Sequence, residues 1–130
     1  MPASSEWYEL CGLVACKRFD EAMALLARKP SLRSDVNGMG ETVLHYQAVE
    51  NDKEGVSWLS SQGFDINTRN IFGTPVIFEV AQLDYKDLLH WFISNGANLK
   101  CLDEDGKNIK EYVLDFGHED IAKHLETLGI

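Results

Sequence analysis

The feature that most constrains this chain is a period of 33 residues. The four residues before each candidate helix read NGMG at 37–40, NIFG at 70–73 and DEDG at 103–106. Asn37, Asn70 and Asp103 are one period apart, and so are Gly40, Gly73 and Gly106. A second glycine column, Gly63, Gly96 and Gly129, keeps the same step. Apolar columns share the register: Val43, Val76 and Ile109; Leu26, Leu59, Phe92 and Leu125; Ala15, Ala48, Ala81 and Leu114. Trp58 and Trp91 are one period apart as well. So many columns in one register make chance a poor account, and a period of this size marks a stack of repeats.

Within one period the coarse structure follows from local chemistry. Thr42 or Thr74 suits a helix N-cap, where a side-chain oxygen accepts from an unpaired backbone amide. Pro75 suits the first turn, because its missing N–H would find no partner there. A first helix of roughly nine residues is expected. A polar break at Asn51-Asp52, Asp84 or Gly117-His118 leads to a second helix, whose apolar residues fall at helical spacing, as in Leu88, Leu89, Phe92 and Ile93. The column glycine permits the left-handed residue that ends a helix. An extended piece at 65–67 and 98–100 then runs to the next tetrad.

One such unit cannot bury its own apolar face, so neighbours must stack to share a core. The expected units are about 4–36, 37–69, 70–102 and 103–130, forming one domain over 1–130. The outer two read as caps. Residues 6–33 keep the two-helix pattern but lack the tetrad and place Pro30 in the glycine column. The last unit has Lys110 where its neighbours have Leu44 and Ile77, His124 where they have Trp58 and Trp91, and a Glu126 on its second helix. Such polar swaps suit a face with nothing stacked on it. With Ile130 one residue past the last column glycine, no tail or second domain is expected.

These motifs resemble the ankyrin repeat. GETVLH at 40–45 is similar to that family's G-x-T-P-L-H box, GFDIN at 63–67 and GANLK at 96–100 to its G-A-D-V-N, and Gly117-His118 to its mid-repeat G-H. The resemblance covers about four units, nearly the whole chain. There are departures: Thr74-Pro75 falls one position before the family's Thr-Pro, and residues 106–111 keep little beyond the glycine. The resemblance implies an all-α solenoid of stacked helix pairs joined by short hairpin fingers. It also implies a structural role for His45, bonded to backbone.

Composition narrows the function classes. The hydrophobic share of 45% and charged share of 25% are those of an ordinary folded chain. No apolar run is long enough to cross a bilayer. MPASSEWYEL lacks the basic and apolar regions of a secretory signal, so a cytoplasmic home is expected. Cys11, Cys16 and Cys101 are odd in number and lack metal spacing, which favours reduced thiols. The net charge is −9 and grows along the chain. Residues 1–36 hold five acids and five bases, 37–102 eight and four, 103–130 eight and three. That field repels nucleic acid and anionic membrane and steers in a basic partner.

Catalytic constellations are weak. His118 and His124 are six apart, which puts them on different helix faces rather than in a metal pair. Asp103, Asp105 and Gly106 suggest a calcium loop, but its register would demand ligands at Cys101 and Tyr112. Cys16 with His45 has no placed third group to make a nucleophile and base. No glycine-rich phosphate loop is present. No enzyme activity, metal or cofactor is expected.

By resemblance to ankyrin repeats, the residues inside each tetrad lie at a finger tip, and fingers and first helices line a concave binding face. The columns directed there hold Met39, Ile71, Phe72, Val49, Leu83 and Phe116, with Glu41, Glu50, Glu104, Asp105 and Asp115 around them. An apolar centre with a charged rim is the anatomy of a protein-binding patch. The expected function is therefore a protein–protein interaction module, monomeric when free, that acts by occluding a partner with a basic surface. Its most concrete form is a bacterial immunity protein or antitoxin neutralising a toxin. The alternatives are a regulatory adaptor or kinase-inhibitor-like protein and, less favoured, a cysteine- or histidine-dependent enzyme.

Overall fold

In a computed structural model residues 3–130 are described, and Met1 and Pro2 lie outside the described residues. The period appears directly as helix starts. The helices are α1 (Ser5–Ala15), α2 (Phe19–Arg28), α3 (Val43–Val49), α4 (Lys53–Ser61), α5 (Val76–Gln82), α6 (Lys86–Ser94), α7 (Ile109–Asp115) and α8 (Glu119–Thr127), with a 3-10 turn at Pro30–Arg33. Each helix packs on its partner in the pair, and α1, α3, α5 and α7 pack in a row. No strand occurs among the described residues, only an isolated bridge between Arg69 and Pro75. The fold is all-α, an ankyrin-like stack of helix pairs joined by hairpin fingers.

The core runs through the whole stack and includes Trp7, Leu10, Leu26, Leu44, Leu59, Phe78, Phe92, Ile109 and Leu125, each almost fully buried. A buried side chain of this size is worth about 1.5–3 kcal/mol relative to exposure, so it is stacking that stabilises each short helix. Among the described residues no helix is long and apolar enough to cross a membrane. All three cysteines are free thiols.

Four local expectations need correction. The first helices of the repeating pairs have seven residues, not nine. Their N-caps form the column Thr42, Pro75 and Asn108. Thr42 Oγ1 accepts from the His45 amide at 3.2 Å as expected. Pro75, however, is the cap itself, and Thr74 lies upstream, where its carbonyl accepts from the Asn70 amide to close the finger. Buried Val43, Val76 and Ile109 fix the start of each helix, so the displaced Thr-Pro does not move it. In the last pair Asn108 and Glu111 form a reciprocal capping box, with bonds of 2.9 and 3.0 Å.

The remaining correction is in the first pair. Lys17, Asn51, Asp84 and Gly117, the residues between paired helices, all have φ of +60 to +79°. Lys17 stands 34 residues before Asn51, one more than the period. Val14 accordingly takes the buried place and Ala15 faces solvent. At the other end of that column Leu114 is exposed, and among the described residues α7 packs mainly on α5 and α8. Lys110 and Glu126, two of the polar swaps, approach each other at 4.0 Å across α7 and α8.

Candidate functional site

Each finger is built from its first residue. The Asn37 side-chain oxygen accepts from the amides of Met39 and Glu41 at 3.0 and 2.9 Å. Asn70 does the same for Phe72 and Thr74, at 2.9 and 3.1 Å, and Asp103 for Asp105 and Lys107, at 2.9 Å each. A short acceptor side chain holding amides two and four residues on explains why only Asn or Asp fills this column. The fourth residue turns the chain with φ of +74 to +77°, which glycine adopts without strain. The fingers are also tied together, because the Ile71 amide donates to the Met39 carbonyl at 2.8 Å.

The two middle residues of each finger are left pointing outward. Ile71 and Phe72 are each 64% exposed, the highest values among the large hydrophobic residues, and Met39 is 49% exposed. Leu83 and Phe116 are the C-cap residues of α5 and α7, and both are exposed. Val49, at the end of α3, is only half-buried. The Phe116 ring packs beside Tyr112, centroids 5.1 Å apart, and Tyr112 in turn meets Phe78 of the core at 5.3 Å.

The acids divide into two groups. Glu50, Glu104 and Asp105 are exposed and make no ion pair among the described residues. Asp115 is ion-paired with Lys107, whose ammonium pKa is raised by that hydrogen bond. Glu41 is half-buried and accepts from the Asn37 side-chain amide at 3.0 Å. Three of the five carboxylates therefore make no ion pair among the described residues.

His45 departs from the expected backbone bond. It is fully buried, and its Nε2 meets the Glu79 carboxylate at 3.1 Å. A carboxylate only accepts, so neutral His45 carries its proton on Nε2 and leaves Nδ1 as a buried lone pair without a partner. Asn70 donates to the same Glu79 oxygen at 2.7 Å, which couples α3, α5 and the second finger. Glu41, His45 and Glu79 bring one ligand atom each within 4.8 Å of one another. Hydrogen bonds from Asn37, Asn70 and the imidazole already occupy these carboxylates. Cys16, the C-cap of α1, is exposed, whereas His45 is enclosed and engaged by Glu79.

A groove of about 530 Å³ beside α1 and α3 shares only Glu50 with the columns expected on the binding face. Trp7, Tyr8, Cys11, Tyr46 and Glu50 line it. Trp7 meets Tyr8 and Tyr46 edge-on at 5.0 and 5.5 Å, and its indole nitrogen is buried without a partner. The Glu50 charge pushes the Tyr46 phenol pKa up. Burial, aided by the Glu41 charge, pushes the Cys11 thiol up to about 12. Because the first pair lacks a tetrad, its aromatic residues fall in no column. Their only sequence signal was Trp7 and Tyr8 as neighbours at the start of an apolar helix.

The fold and face define a stacked-repeat scaffold that presents apolar finger tips. No family model matches the chain. The chain is similar to the E3 ubiquitin-protein ligase XBAT32 of Arabidopsis thaliana, with 36% identity over 80 residues, which is 61% of this chain and 16% of that protein. The matched part is thus about a sixth of the relative's length. A stretch of 80 residues exceeds two periods of 33, the extent that a shared run of repeats produces.

Proposed function

We propose that the chain is a protein–protein interaction module whose finger tips and inner-helix ends bind and occlude a partner with a basic surface. The observation that carries this reading is the exposure of Ile71 and Phe72, 64% each, on fingers whose fold makes no use of their side chains. With Met39, Leu83 and Phe116 they supply apolar anchors, and Val49 lies at the same helix end as Glu50. Glu50, Glu104 and Asp105 supply the unpaired charge that speeds encounter with a cationic surface, and Glu41 and Asp115 add to the same negative field. A standard interface needs about 800 Å² from each partner, within reach of four stacked pairs.

The most concrete form is an immunity protein or antitoxin that covers the active surface of a toxin, acting as a cytoplasmic monomer. A second reading, a regulatory adaptor, draws on the likeness to part of a plant ubiquitin ligase. Affinity capture with wild type and Phe72→Asp tests the shared claim. Phe72→Asp is expected to stay folded, within about 0.5 kcal/mol of wild type, because its side chain is exposed. It is also expected to lose the partner at least tenfold. A folded Phe72→Asp that keeps every partner would refute the face. If binding is lost, the identity of the captured protein, a toxin or a regulatory enzyme, separates the two forms.

A further inference from the structure

The second helices of the last two pairs bring two imidazoles together. His90 of α6 and His124 of α8 are both on the surface, at a ring-centroid distance of 5.1 Å and with Nε2 atoms 2.9 Å apart. Neither ring has another hydrogen-bond partner among the described residues. The contact requires one ring to donate Nε2–H and the other to accept, so at least one nitrogen presents a lone pair to the other.

We infer that His90 and His124 form a two-imidazole site for a borderline divalent transition ion such as Zn²⁺, which clasps α8 to α6. A tetrahedral ion with Zn–N bonds of 2.0–2.1 Å holds two ring nitrogens about 3.3 Å apart and the ring centres about 5.2 Å apart. The observed centres, at 5.1 Å, are already at that spacing. Entry of the ion replaces the N–H···N bond: the neutral donor ring passes its Nε2 proton through solvent to its own Nδ1, so both Nε2 lone pairs are free with no net proton released, and the nitrogens part by a few tenths of an ångström as the rings tilt toward the ion. Imidazole suits zinc, copper and nickel, whereas calcium and magnesium prefer oxygen. Asp87 and Asp120 lie one turn N-terminal to the two histidines, both exposed, and place negative charge on the same helices. Of the cations nearby in sequence, Lys86 is 4.0 Å from Asp84 and Lys123, next to His124, is exposed. Water fills the remaining coordination positions.

The clasp acts where the stack is thinnest. The last pair is held mainly by α7 against α5, while α6 and α8 pack only sparsely on each other. An ion bound by both closes that side of the terminal unit. Bound metal favours the folded state, so melting temperature rises with its concentration.

Zn²⁺ alone, added to the reduced, metal-free protein, tests the site. Titration calorimetry should give one ion per chain, with affinity reduced at least tenfold in both His90→Ala and His124→Ala. Zn²⁺ should raise the melting temperature of wild type and not of either variant. Imidazole NMR signals of wild type, which need no variant, should show His90 and His124 shifting together while His45 and His118 stay in place. Three results would each overturn the site: no movement of either ring at tenfold excess of Zn²⁺, movement confined to His45 or His118, or affinity kept within tenfold in either variant.

Discussion

Alanine in place of Gly40 isolates what finger stacking is worth. Gly40, Gly73 and Gly106 share nearly the same left-handed backbone, with φ of +74, +74 and +77°. Placing a Cβ in that conformation costs about 1–2 kcal/mol at any of them. The surroundings differ. A Cβ on Gly106 meets nothing within 4 Å, and the three atoms nearest to one on Gly73 all belong to the side chain of Glu104, which can swing away. A Cβ on Gly40 would come within 2.8 Å of the Ile71 Cα and closer still to its backbone nitrogen. The first and second fingers must then separate, which breaks the Ile71-to-Met39 bond of 2.8 Å at a cost of about 0.5–1.5 kcal/mol. Gly40→Ala should therefore destabilise by about 1.5–3.5 kcal/mol, Gly73→Ala and Gly106→Ala by about 1–2. The lower chain entropy of alanine is common to all three and cancels in the comparison. Urea unfolding read by helix circular dichroism measures the difference. If Gly40→Ala proves no worse than Gly106→Ala, the fingers are not packed against each other and the contact row they define does not exist.

Other outcomes follow from the same residues. Asp84 has φ of +60° without being glycine, so Asp84→Gly should stabilise by about 1 kcal/mol, because its 4.0 Å surface ion pair with Lys86 contributes little; a lowered melting temperature would contradict this. The Cys11 thiol loses its proton near 9.0 in the unfolded chain and near 12 in the folded one. Over that window the folded state binds more protons, so stability falls as pH rises, by up to about 1.4 kcal/mol per pH unit. The stability difference between wild type and Cys11→Ala should accordingly shift against wild type from about pH 8 to about pH 10, and a flat difference would show that the thiol is not enclosed. A thiol reagent in native buffer should modify exposed Cys16 promptly and Cys11 only on unfolding.

The stack was legible because its strongest signals are backbone requirements that recur in every unit. Gly40, Gly73 and Gly106 must turn left-handed, and Asn37, Asn70 and Asp103 must accept two amides, so both columns repeat strictly. The columns do not carry what tertiary contact decides. Pro75 became a cap because buried Val76 fixes the helix start, whatever the upstream Thr74 offers. Val14 replaced Ala15 in the buried column because the link at Lys17 is offset by one residue. The bond of His45 to Glu79 and the approach of His90 to His124 join side chains 34 residues apart, one beyond the period. Such pairs fall in no column, although helices of adjacent units bring them together. The apolar tips were legible as residues, but which carboxylates remain unpaired was not, since the Lys107 that neutralises Asp115 belongs to the turn of a different element.

The fingers separate what folds the chain from what it presents. In each, the first residue accepts the amides, the fourth turns the backbone and the fifth returns a hydrogen bond to the first, as Glu41 to Asn37, Thr74 to Asn70 and Lys107 to Asp103. The second and third residues donate or accept only through backbone, so any side chain there leaves the finger closed. These positions hold Gly38 and Met39, then Ile71 and Phe72, then Glu104 and Asp105, three chemistries on one backbone. Where folding sets no requirement, a polar side chain is the default for solubility, and an exposed apolar one contributes nothing to the fold. An Ile and a Phe side by side on the central tip, with an acidic tip next to it, gain their free energy only on being covered.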